Sequence, residues 1–131
     1  MNIDKKYYQE INENLTNTIQ DTNISAPNKK VGKVRDAYFL NDKVVMISTD
    51  RQSAFDRVLA AIPYKGAVLN SVSAWWFKKT EHLFPNHLIS TPDPNVSIVE
   101  KCTVFPVEFV VRGYITGTTD TSLWTVYNNG D

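Results

Sequence analysis

The stretch "KVRDAYFLNDKVVMIST", from Lys33 to Thr49, constrains this chain more than any other. Two runs rich in β-branched and aromatic residues flank the turn Asn41-Asp42-Lys43, a pattern that predicts a β-hairpin. "VLAAIPYKG" (58–66) reads as a buried strand, and "SIVEKCTV" (97–104) and "PVEFVVRGY" (106–114) read as two more. "PNHLISTPDPN" (85–95) reads as a loop with a short strand at its centre. Hairpin connections imply antiparallel pairing, so the expected class is α+β, a mainly antiparallel sheet with flanking helices.

Three helices are expected around that sheet. Ile3, Tyr7, Ile11, Leu15 and Ile19 recur four apart, as on one face of an amphipathic helix. "DTNISAPNKK" (21–30) follows as a loop. "LNSVSAWWFKKTEHL" (69–83) carries the stripe Leu69, Val72, Trp76, Leu83, with Lys78 and Lys79 near the C-terminal end that suits cations. "TDTSLWTVYNN" (119–129) predicts a final helix capped by Thr119 or Asp120. The pair Trp75–Trp76 is expected in the core, and Cys102 as a small buried side chain.

The 131 residues suffice for one domain with a core of its own. Lys plus Arg equals Asp plus Glu at 14 each, which argues against a general nucleic-acid binder. One cysteine and two histidines argue against a Cys/His zinc site, and no metal ligands are expected among these residues. A lone cysteine points to a reducing, cytoplasmic compartment. The N-terminus lacks the apolar core of a signal peptide, and no apolar run is long enough to span a membrane.

Three segments could carry chemistry. In "FPVEFVVRGYITGT" (105–118), strand alternation puts Glu108 and Arg112 on one face, about 13 Å apart. Each then needs a separate partner, because a buried unpaired charge is costly. Arg112 stands beside a Gly- and Thr-rich turn containing Gly117 and Thr118, a fit for a phosphate or carboxylate clamp. A salt-bridged arginine on a solvated strand end fits the same pattern. In "GKVRD" (32–36), Lys33 and Arg35 share a face if the segment is a strand, and Gly32 lets backbone approach a polyphosphate. A solvated strand face is the alternative. "TDRQSAFDR" (49–57) crowds Asp50, Arg51, Ser53 and Asp56 into a short loop anchored by Phe55. It suits a binding loop or a charged turn bonded to its own backbone.

"GKVRDAY", "TDRQSAFD", "IPYKGAVLNSVSAWWF" and "FPVEFVVRGYITGT" follow one another in the order seen in the phosphoribosylaminoimidazole-succinocarboxamide (SAICAR) synthetase family, which this chain resembles from about Lys30 onward. The resemblance implies an ATP-dependent ligase of purine biosynthesis. That reaction joins L-aspartate to carboxyaminoimidazole ribonucleotide (CAIR) through an acyl phosphate, releasing ADP and phosphate. It also implies the N-terminal lobe of an ATP-grasp-related fold, with residues 1–29 as helix and loop and 30–131 as the ATP-binding lobe.

By motif, Gly32, Lys33 and Arg35 would face the ATP phosphates, and the backbone of 100–105, with Lys101 and Val104, would run beside adenine. Arg112, Gly117 and Thr118 would hold the imidazole ribonucleotide. Asp50, Arg51, Ser53 and Asp56 would line the same pocket, with Glu108 orienting a cation. Arg112 and Glu108 are the expected catalytic pair.

Two departures stand out. Thr118 occupies a position where the family usually has Ser. The family's D-x-K-x-E-F-G strand, associated with Mg2+, is absent from these residues. The expectation is therefore an N-terminal portion of a longer enzyme, inactive alone, with the main Mg2+ ligands elsewhere and apolar surface around Trp124 and Tyr127 prone to self-association. The competing expectation is a non-catalytic lobe that binds a nucleotide or a partner.

Overall fold

The computed structural model describes residues 5–55, 57–107, 109–111 and 113–130. The predicted hairpin forms its centre. Strands β2 (Arg35–Phe39) and β3 (Lys43–Ser48) pair antiparallel from Arg35↔Ser48 to Phe39↔Val44. β1 (Lys29–Val31) adds to β2, β7 (Val96–Glu100) adds to β3, and β6 (Leu88–Asp93) adds to β7, all antiparallel. The sheet order is β1-β2-β3-β7-β6, and β4 (Arg51–Ala54) and β5 (Arg57–Ala61) form a separate ribbon. With helices α1 (Lys5–Glu13), α2 (Lys65–Thr80) and α3 (Leu123–Asn129), the class is α+β.

Pairing register sorts the side chains into two faces, because neighbours across a ladder point the same way. Arg35, Ala37 and Phe39 share one face with Ser48, Met46 and Val44, and with Ser97 and Val99 of β7. Asp36 and Tyr38 share the other with Ile47 and Val45. The segment before β1 closes that second face: the Thr22 hydroxyl meets the Asp36 carboxylate at 2.7 Å and the Tyr38 hydroxyl at 2.8 Å. The apolar core among the described residues is small, comprising Tyr38, Val44, Ile47 and Val99.

Helix α2 packs on the first face with an orientation that corrects the expectation. Its inward residues are Gly66 and Asn70, whereas Leu69, Val72, Trp76 and Leu83 of the predicted stripe are exposed. The Trp75–Trp76 pair is half-exposed surface, its rings edge-to-face at 4.8 Å. The physical reason is close approach. A Cβ on Gly66 would lie 2.2 Å from the Ser48 carbonyl oxygen, so only a residue without one fits there. Asn70 donates to the Pro94 carbonyl at 3.0 Å and accepts from the Ser97 hydroxyl at 2.7 Å, so its burial is satisfied.

Other local expectations also change. Residues 88–93 make a full strand where a loop with a short strand was expected, and 51–54 form a strand where a loop was expected. β5 is largely exposed. The described residues of 106–114 form no strand, so face alternation does not apply to them. Phe55 anchors nothing: it is 98% exposed on a turn with φ of 49°. Cys102 is exposed. α1 ends at Glu13, before Leu15 and Ile19. Asn14 there bonds back to the Glu10 carbonyl with its side chain, a contact that competes with helix continuation. The cap of α3 is Ser122, which accepts from the Thr125 N–H at 3.3 Å.

Candidate functional site

A cavity of about 340 Å³ opens between α2 and the first face of the sheet. Alternation on β2 places Arg35, Ala37 and Phe39 along one wall, and β3 adds Val44, Met46 and Ser48. α2 contributes Asn70, Ser73 and Phe77 at helical spacing. From the last residue of β7 onward, the chain at Glu100, Lys101, Cys102 and Val104 forms the edge, with His87 and Leu88 alongside. The walls are mainly apolar, and the charged side chains are Arg35, Glu100 and Lys101. Such a cavity suits a flat apolar ring carrying an anionic tail. Its volume lies within the usual range for small-ligand sites.

The expected cofactor residues divide accordingly. Arg35, Lys101 and Val104 all line this cavity, Arg35 at its Ser48 end and Lys101 at its Asp42 end, and Gly32 and Lys33 do not. Those two stand on the turn between β1 and β2, so Lys33 is not on a strand and does not alternate with Arg35. Gly32 donates to the Arg35 carbonyl at 2.8 Å, and a Cβ there would meet that oxygen at 2.7 Å. Glycine is therefore required by the turn's own closure.

Asp50 and Arg51, expected to line a substrate pocket, are buried with partners inside the chain. The Asp50 carboxylate accepts from the Ile19 N–H and from the Gly66 N–H, each at 2.8 Å. Tyr64 precedes α2 in a left-handed conformation and makes no side-chain cap, so Asp50 supplies that helix start with its acceptor from afar. The Arg51 guanidinium bonds Asp36 Oδ1 at 2.6 Å and the carbonyls of Gln20, Gly32 and Lys33 at 2.6, 3.1 and 3.2 Å. Ser53 sits on β4 at the register shift of the ribbon.

Gly117 has φ of 132°, and a Cβ on it would lie 2.3 Å from that of Ser122. Thr118 is exposed. Neither lines the cavity beneath α2, nor a second hollow of about 750 Å³ formed by Val110, 113–116, Thr119 and 121–123. Glu108, Arg112 and Asp56 lie outside the described residues.

Burial of Asp36 pushes its carboxyl up, but hydrogen bonds from Arg51, Thr22 and Lys29 outweigh that effect and hold it below the usual range. Lys29 bridges Asp21 at 2.7 Å and Asp36 at 3.2 Å. The Asp21 bond raises the lysine and lowers Asp21 in turn. Among the described residues no three His, Cys, Asp or Glu side chains converge to hold a metal ion. No helix among the described residues is long and apolar enough to cross a membrane.

Sequence reasoning missed the walls, including Phe39, Met46, Asn70 and Ser97. The i, i+2 pattern from Arg35 through Phe39 was the available signal for β2. Asn70 and Ser97 became visible only through their mutual contact.

Comparison with known proteins bears on this geometry. The SAICAR synthetase family matches residues 28–130. A phosphoribosylaminoimidazole-succinocarboxamide synthase of Legionella pneumophila (strain Lens) is 61% identical over 112 residues, covering 86% of this chain and 36% of the relative. A chloroplastic synthase of Arabidopsis thaliana is 58% identical over 125 residues, covering 92% and 30%. The chain thus spans about a third of the length of the curated relatives it matches.

Among solved structures, the Saccharomyces cerevisiae SAICAR synthase complexed with SAICAR superposes with a TM-score of 0.74 at 30% identity, over 86% of this chain and 45% of that one. A type-2 SAICAR synthetase in complex with ADP gives 0.55 at 30% identity, over 60% and 35%. The ordered motifs, the superposition and the match over 28–130 agree, and the chain belongs to the SAICAR synthetase family.

Proposed function

We propose that residues 30–131 form the ATP-binding lobe of an ATP-dependent ligase that joins L-aspartate to CAIR, giving SAICAR, ADP and phosphate. The observation that carries this reading is the cavity beneath α2. Arg35 and Lys101 stand at opposite ends of an apolar slot, the first beside Ser48 and the second beside Asp42, in a chain whose family includes an ADP-bound structure. The slot would take the adenine ring between β2 and the chain at 101–104. The Gly32–Lys33 turn, which leads directly into Arg35, would meet the phosphates. ATP's part in the reaction is to activate the CAIR carboxylate as an acyl phosphate, which aspartate then attacks. This chain's part is to bind, orient and neutralise anions.

Gly117 and Thr118, with Arg112, are proposed for the imidazole ribonucleotide. Glu108 and Arg112 remain the proposed catalytic pair, and the cytoplasm the proposed compartment. Calorimetric titration of Mg-ATP into the folded chain tests the nucleotide role. Binding weakened about tenfold by Lys33→Ala is expected, the effect of losing one charge-assisted phosphate contact. A folded chain that takes up no nucleotide would overturn it.

Self-association is proposed as well. The half-exposed stripe of α2, with Trp75 and Trp76, adds to Trp124 and Tyr127 as apolar surface that favours contact between copies. Light scattering is expected to show an average mass that rises with concentration. A constant monomer mass would count against it.

A further inference from the structure

Three successive carbonyls of the β1–β2 turn are held from one short segment. Gly32 and Lys33 accept from Arg51, and Val34 accepts from the Thr49 hydroxyl at 2.8 Å and the Thr49 N–H at 3.0 Å. Arg51 binds Asp36 and the Gln20 carbonyl with the same guanidinium, so these contacts use four of its five N–H groups. The arginine is buried, and turning outward would leave the Asp36 carboxylate without its closest cation.

We propose that Arg51 is a positioning residue for the phosphates of a bound nucleotide, not a substrate contact: it fixes the Gly32–Lys33 turn against the sheet. The inference rests on the nucleotide reading above. A planar fork is needed for this task, because one side chain must reach two adjacent carbonyls and a carboxylate at once. Lysine can keep the charge opposite Asp36 but cannot span the set. The N-terminal segment shares the anchor through Gln20, so the turn is tied to residues far from it in sequence.

Arg51→Lys in the 131-residue chain, titrated separately with ATP and adenosine, tests the proposal. ATP affinity is expected to fall about tenfold while adenosine affinity stays within about twofold. The Gly32 amide, bonded to the Arg35 carbonyl, should exchange faster by about tenfold once the turn is released. Unchanged ATP affinity with unchanged Gly32 exchange overturns the proposal. So does a parallel loss of both ligands alongside a lower melting temperature, which marks a purely structural role.

The wild type gives a readout independent of any variant's folding. The Arg51 Nε–H signal should stay protected when ATP saturates the chain, and a signal that moves onto the ligand overturns the proposal. If wild type binds neither ligand, the nucleotide reading itself falls and the phosphate role falls with it. Gly32 exchange in Arg51→Lys then shows separately whether the arginine holds the turn.

Discussion

Gly66→Ala is expected to destabilise the chain by about 3 kcal/mol, or to prevent folding. An ideal Cβ at this position would lie 2.2 Å from the Ser48 carbonyl oxygen and 2.6 Å from Asn95 Nδ2. The side-chain amide could move, but the carbonyl belongs to the end of β3 and could not. Asn95 already donates to that same carbonyl at 2.7 Å, so relief on one side breaks a bond on the other. Moving α2 outward would also pull the Gly66 N–H from Asp50 and open the cavity along Asn70 and Ser73. Urea unfolding measures the effect. Gly113→Ala is the control, because a Cβ there meets nothing within 4 Å and should cost no more than about 0.5 kcal/mol. Equal midpoints for the two variants would refute the packing account.

Removing the Asp36 carboxylate is the second large effect. Its side chain is fully buried, and it accepts from Arg51, Thr22 and Lys29. Asp36→Ala strands a buried guanidinium, and breaking such a pair from one side costs about 3–5 kcal/mol. The carboxyl is held below its ordinary value in the fold. Its contribution is therefore present above the unfolded-state value and is lost as pH falls through the lower folded-state value. Wild type should lose stability across that acid window, and Asp36→Ala should show a shallower loss there. Melting temperatures recorded from neutral to acid pH decide the point. Matching acid slopes would mean that other carboxylates carry the effect.

The central hairpin was legible because its information is local. Aromatic Tyr38 and Phe39 before Asn41-Asp42 and β-branched Val44, Val45 and Ile47 after it specify strands, and the turn sets their pairing. The ordered motifs made the family legible for a different reason, since four segments in one sequence order rarely recur by chance. The periodicity of α2 located the helix but misled on its inner face. Its apolar stripe is the exposed side: the start of the helix presses Gly66 and the hydrogen-bonded Asn70 against the sheet, and Ser73 and Phe77 follow on the same face over the cavity. Trp75, Trp76 and Cys102 were misjudged by the same habit of assigning apolar residues to the interior.

The sequence by itself determined that the chain makes an antiparallel α+β lobe of this family, and that cations cluster near Gly32 and Arg35. Only the tertiary structure decided which charges the protein consumes internally. Asp50 and Arg51 read as ligand groups in a short polar loop, yet folding sets the first against a helix start and the second against a buried carboxylate and a turn. Whether a charge meets a ligand or its own chain depends on what lies opposite it. Here the partners come from 15 to 31 residues away, beyond the reach of any local pattern.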